Sequence, residues 1–123
     1  MQQQQQIIFL RAEKKFKPPT PEMFPVSLQN HRLHVIEIGD TKETLWRNSD
    51  LLLDLLKDID DDIEMGQKIF ICGAISTGAA FLLGRYIDNI SPIISSKIIW
   101  LQLERDKNKD IKNKKYAIWH DLY

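Results

Sequence analysis

The sequence predicts a small α/β domain with a mainly parallel central sheet, flanking helices and a C-terminal β-hairpin. Three observations carry that expectation. In Lys68–Arg85, KIFICGAISTGAAFLLGR, a β-prone apolar run turns through small residues into a helix-like run with Ala80, Leu83 and Ile87 on one face. Upstream, Leu52, Leu55, Leu56, Ile59 and Ile63 recur at helical spacing. Strand-like segments, Arg32–Ile38 and Lys97–Leu103, lie on either side of these helical stretches, so strand and helix alternate.

At 123 residues and 43% hydrophobic content the chain supports one globular domain with a real core. Seventeen basic side chains balance seventeen acidic ones, so bulk charge directs it neither to a nucleic-acid duplex nor to an anionic membrane. The single cysteine, Cys72, falls in a buried-type strand and reads as a small core residue. Absence of a disulfide framework and of a basic, apolar leader predicts a cytoplasmic protein. Ile69–Gly84 is uncharged but shorter than the ~18–20 apolar residues a membrane span needs, and it holds Ser76, Thr77 and three glycines. No membrane association is expected.

Along the chain, residues 1–30 read as an N-terminal tail and linker, and residues 31–123 as the folded domain. Gln2–Gln6 is a short homopolymer, expected to be weakly held. Ile7-Ile8-Phe9-Leu10 is apolar enough to add an edge strand. Lys17–Pro25 carries Pro18, Pro19, Pro21 and Pro25, which predicts an extended linker or surface crossing. Arg32–Ile38 is a strand ending in the turn Gly39-Asp40-Thr41. His31 and His34, three apart on a strand, face opposite sides and make a poor shared metal site.

Ser49 is the predicted N-cap of the first helix, with Asp50 in its first turn. The acidic stretch Asp58–Glu64 has Ile63 where a calcium loop needs glycine, so it reads as a solvated helix end. A turn at Gly66 leads into the strand Lys68–Cys72. Asn89–Pro92 is a connection, Lys97–Leu103 a further strand, and Glu104–Lys115 an exposed lysine-dense loop. Tyr116–Trp119 closes a hairpin with its predecessor. Right-handed crossovers then make the first three strands parallel, a Rossmann-like layer.

The motifs exclude more chemistry than they assign. Gly73 and Gly78 have the G-x-x-x-x-G spacing of a phosphate-binding loop. Ala79 and Ala80, however, stand where lysine and Ser/Thr should follow, so nucleotide hydrolysis is not expected. The dinucleotide fingerprint G-x-G-x-x-G is absent, and no cofactor is expected. Ala74-Ile75-Ser76-Thr77-Gly78 approximates a nucleophile elbow, with Asp106, Asp110 and His120 following in hydrolase order. A hydrolase of that kind needs a larger sheet, and Ser76 is more simply a helix cap or anion contact. Gly84 within the helix suggests close helix–sheet approach, and Arg85 beyond it a surface cation.

Ile69–Cys72, the small turn, Gly78-Ala79-Ala80-Phe81-Leu82-Leu83-Gly84-Arg85, the strand ending at Leu103 and the final Tyr116-Ala117-Ile118 resemble the closing half of SAVED domains. Those sensors of bacterial anti-phage defence are built from two halves related to the CARF (CRISPR-associated Rossmann-like) fold. The similarity spans Leu33–Trp119, and its distinctive part is the Ala-Phe-Leu-Leu-Gly-Arg segment. The resemblance implies non-catalytic binding of a cyclic oligonucleotide, usually adenylate-rich, at the carboxyl ends of the parallel strands. It implies one ligand loop at Gly39, Asp40, Thr41 and Lys42 and another at Gly73, Ala74, Ile75, Ser76 and Thr77. Trp46 or Trp100 could stack a base there, although Trp100 also suits a core or interface. A complete sensor carries both halves and an effector in one chain. One half implies a homo-oligomer or a larger, effector-bearing partner. The competing expectations are an interaction subunit that binds no nucleotide, and a small hydrolase or ring nuclease using Ser76.

Overall fold

The computed structural model describes residues 4–104 and 114–119. Five strands form one sheet in the order β2-β1-β3-β4-β5. They are β1 (Gln5–Arg11), β2 (His31–Glu37), β3 (Ile69–Ala74), β4 (Ile98–Glu104) and β5 (Lys115–Trp119). The first four are parallel and β5 pairs antiparallel with β4, opposing Trp100 to Trp119 and Leu103 to Tyr116. Helices α1 (Lys42–Asp62), α2 (Thr77–Ile90) and the one-turn α3 (Pro92–Ser95) complete the regular structure, with short 3-10 turns at Pro21–Met23 and Val26–Leu28. A mainly parallel α/β layer with a C-terminal hairpin is thus what the chain forms.

The expected edge strand is an interior one. β1 pairs with β2 on one side and β3 on the other, and Ile7, Ile8, Phe9 and Leu10 are all buried. A parallel strand covered on both faces needs an unbroken apolar run rather than alternation, and these four residues supply it. Gln5 and Gln6, expected in a weakly held tail, take part in the pairing opposite His31 and Arg32.

Two further expectations need correction. Helix α1 begins seven residues before Ser49, capped by Thr41. Ser49 lies buried in mid-helix, where its hydroxyl donates to the Trp46 carbonyl at 2.9 Å, an outlet open to serine within a helix. The proline-rich segment is not merely a linker. Its continuation buries Phe24 and Leu28 against Ile7, Phe9, Phe70, Cys72, Leu101 and Tyr116. It therefore closes one face of the sheet.

The opposite face packs Ile8, Leu10, Ile69 and Ile71 under Leu52, Leu56 and Ile59 of α1, Leu83 and Ile87 of α2, and Ile94 of α3. This division follows from chirality. The step from β1 to β2 runs one way along the sheet, and the steps to β3 and β4 run the other. Right-handed crossovers in opposite directions must use opposite faces. Lys97 also forms an ion pair with Asp60, tying the approach to β4 to the end of α1.

Candidate functional site

Opposite exits from neighbouring strands leave a gap between them. Here β1 leaves towards the 3-10 turns and its neighbour β3 leaves towards α2, so the switch point falls at their carboxyl ends. In open α/β sheets that is where ligands bind. Ala12 amide donates to the Ala74 carbonyl (3.2 Å) and Ile38 amide to the Arg11 carbonyl (2.8 Å), holding the ends of β1, β2 and β3 together.

Each neighbouring loop is built for a helix start. Gly39 sits at φ 91°, a left-handed conformation, and a Cβ there would lie 2.1 Å from the Thr44 hydroxyl. That bend delivers Thr41, whose hydroxyl accepts from the Thr44 amide while Thr44 Oγ1 accepts from the Thr41 amide, both at 3.1 Å. Asn48 Nδ2 donates to the Ile38 carbonyl at 3.2 Å and clamps the loop from the next turn. At the second start, Ser76 Oγ accepts from the Ala79 amide at 3.1 Å, the capping role expected for it. These caps satisfy the third amide of each helix. The amides of Lys42, Glu43, Thr77 and Gly78 precede the first intrahelical bond and remain directed at the positive end of each helix dipole.

The two starts meet in a crevice of about 250 Å³, lined by Ala12, the Gly39–Lys42 loop, Leu45, Ser76, Gly78, Ala79 and Leu82. Gly39, Asp40, Thr41, Lys42 and Ser76 are therefore brought together. Gly73 and Ala74 instead belong to β3, Ile75 packs against the helical-face core, and Thr77 is the exposed first residue of α2. Gly73 still shapes the site, because a Cβ on it would stand 2.8 Å from the Leu10 carbonyl oxygen. Ala12, Leu45 and Leu82 were not legible as lining residues. Ala12 becomes one only when β1 is placed inside the sheet, and the uninterrupted Ile7–Leu10 run was the available signal for that.

No protein-family model, curated protein or solved structure matches the chain. The chemistry must be taken from the side chains themselves. Asp106, Asp110 and His120 lie outside the described residues. His31 and His34 sit on β2, where their ring nitrogens contact the Leu28 carbonyl (2.6 Å) and Gln6 Oε1 (2.8 Å). Burial, assisted by the charge of Arg32, lowers the His34 pKa. Cys72 is fully buried beside Tyr116, and burial pushes its thiol up to about 12, leaving it in its unreactive form. Among the described residues no group of three or more His, Cys, Asp or Glu could hold a metal, and no helix is long and apolar enough to cross a membrane.

A larger hollow, about 570 Å³, lies over β4 and β5 on the helical face, walled by Ala80, Gly84, Ile87, Trp100 and Trp119 among others. A Cβ on Gly84 would meet nothing within 4 Å, so the close approach expected at that glycine does not occur, and α2 meets the sheet through Leu83 and Ile87 instead. Trp100 is half-buried and donates its Nε1 hydrogen to Gln102 Oε1 at 2.8 Å. Arg85 lies on the surface with its guanidinium 5.8 Å from the Phe81 ring centroid.

Proposed function

We propose that the chain is a non-catalytic binding subunit for a cyclic oligonucleotide second messenger, acting as an oligomer in bacterial anti-phage defence. The observation that carries this reading is the convergence of the 39–42 loop and the Ser76 helix start in one crevice across the β1/β3 switch point. Two helix starts and Lys42 favour an anionic group there, against the single opposing charge of Asp40. The likeness of Ile69–Cys72 and Gly78–Arg85 to SAVED domains narrows the anion to a cyclic oligonucleotide. Ligand pockets commonly enclose ~300–1,000 Å³, and about 250 Å³ accommodates one part of such a ring. The remainder would be held by a second copy or a larger partner.

Calorimetry with a panel of cyclic oligoadenylates tests the reading. Binding is expected for the wild type, with at least a tenfold loss in Thr77→Glu. A carboxylate at the first position of α2 repels a phosphate yet suits the helix dipole, so the loss would not reflect unfolding. Unchanged affinity in that variant would remove the Gly73–Thr77 loop from the site. No heat with any member would favour an interaction subunit, for which the 570 Å³ hollow beside the exposed Trp119 supplies a surface. Product formed from the panel and abolished by Ser76→Ala would overturn the non-catalytic assignment.

A further inference from the structure

Beside the switch-point crevice, α1 and α2 part to leave a second cleft of about 270 Å³, walled by Leu45, Trp46, Leu82, Leu83 and Tyr86, with Lys42 at its edge. The two hollows share Lys42, Leu45 and Leu82, so one ligand can enter both. We propose that this cleft seats one nucleobase of the ligand, stacked on the Trp46 indole. The proposal rests on the cyclic-oligonucleotide reading for the identity of the ring, but on its own geometry for the ring's place.

Trp46 is 65% exposed although it belongs to a 21-residue helix with a buried stripe. Leu82 beside it on α2 is 43% exposed. Trp46 and Tyr86 meet at 69° with centroids 6.4 Å apart, an edge-to-face contact that covers at most one face of the indole. The Tyr86 hydroxyl is held by the Asp50 carboxylate across the helix pair, which fixes the tyrosine ring as a wall. The remaining walls are Leu45, Leu82, Leu83 and the buried Ser49, whose hydroxyl already donates to the Trp46 carbonyl. Among the described residues the one cation lining the cleft is Lys42, between it and the helix starts. An occupant suited to both hollows therefore pairs a flat apolar face with an anionic group near Lys42. A nucleotide does this, and base-on-aromatic stacking accepts any base because every base has a π-face.

Two probes separate this inference from the reading beneath it. Adenosine carries the ring without phosphate, and cyclic triadenylate carries both. The Trp46 indole N–H signal, assigned by its loss in Trp46→Phe, is expected to shift with millimolar adenosine and with cyclic triadenylate. In calorimetry Trp46→Ala should weaken cyclic triadenylate roughly 5- to 150-fold, the range given by about 1–3 kcal/mol of stacking per base, and Trp46→Phe should recover most of it. Because Trp46 is largely exposed, both variants should keep the wild-type circular dichroism spectrum. Equal affinity of the wild type and Trp46→Ala for cyclic triadenylate, or an indole signal unmoved by both probes, overturns the base site. A wild type that takes adenosine at Trp46 but no cyclic oligonucleotide supports the ring site and overturns the proposed messenger.

Discussion

One face of the sheet is covered by three helices and the other by two 3-10 turns. On the helical face, α1, α2 and α3 bring Leu45, Leu52, Leu56, Ile59, Leu83, Ile87 and Ile94 down onto the strands, and the loss of one is shared among many neighbours. On the other face, among the described residues, the buried cover from outside the sheet is Phe24 and Leu28. Phe24 stacks on Tyr116 with centroids 5.2 Å apart and meets His31 edge-on at 4.9 Å, so one ring joins the connection to both edge strands. The helical face thus resists change by redundancy, whereas the turn face depends on two side chains, of which Phe24 reaches both edge strands. The candidate site belongs to both, since its strands exit on opposite sides.

That contrast predicts the largest effect. Phe24→Ala should destabilise by about 3–5 kcal/mol, a severe loss for a domain whose total stability is ~5–15 kcal/mol. Leu56→Ala, with its side chain fully buried among helices, should cost about 2–5 kcal/mol and fall below Phe24→Ala when both are unfolded in urea. A Phe24→Ala cost under about 1 kcal/mol would mean that the turn face is closed by something other than this ring.

Glycines sharpen the comparison on a smaller scale. Gly73 lies where β3 presses against β1, and alanine there would drive a methyl to 2.8 Å from the Leu10 carbonyl oxygen, a backbone atom with little room to yield. Gly73→Ala should cost about 1–3 kcal/mol and weaken ligand binding, because the strand ends that frame the crevice must separate. Gly84 is its opposite: it lies inside α2 and opens onto the hollow. Gly84→Ala should stabilise by up to ~1 kcal/mol through helix propensity. A destabilising Gly84→Ala would show that α2 does approach a neighbour there.

The same asymmetry explains how much of the molecule was legible. The strand–turn–helix at Ile69–Ile90 stood out because an apolar run, small turn residues and a helical stripe follow one another in order. β1 has the same four-residue buried run and lies beside β3 in register, Ile7 opposite Phe70 and Phe9 opposite Cys72. Its glutamines and the absence of a following helix disguised it, since its partners are supplied by strands up to 63 residues away in sequence (Gln6 opposite Ile69). The Ser49 cap was attractive on local chemistry. Thr41 prevailed because Gly39 makes the bend that sets the chain into helix seven residues earlier, where a threonine pair can cap reciprocally. Of the candidate site, the loop after β2 and Ser76 were readable as turn and cap residues. The residues that complete the crevice come from the pairing order of the sheet, which local pattern does not encode.

The smallest predicted effect lies at the sheet edge, on the helical side of β2. His34 bonds Gln6 Oε1 through Nε2 across the β2–β1 pair, and it is partly buried near Arg32. Burial first, and the Arg32 charge second, lower its pKa below the ordinary 6.5. The unfolded chain therefore binds a proton at this residue more readily than the folded one between those two values. Its contribution to stability is complete above about pH 6.5 and is lost as pH falls through the folded pKa. Stability should then decline on acidification from pH 7.5 to 5.5, with part of the decline belonging to His34. His34→Gln keeps an amide facing Gln6 but cannot titrate, so its urea midpoint should fall less over the same interval. Equal declines in the two proteins would assign the acid sensitivity to other groups and leave the β2 edge indifferent to protonation.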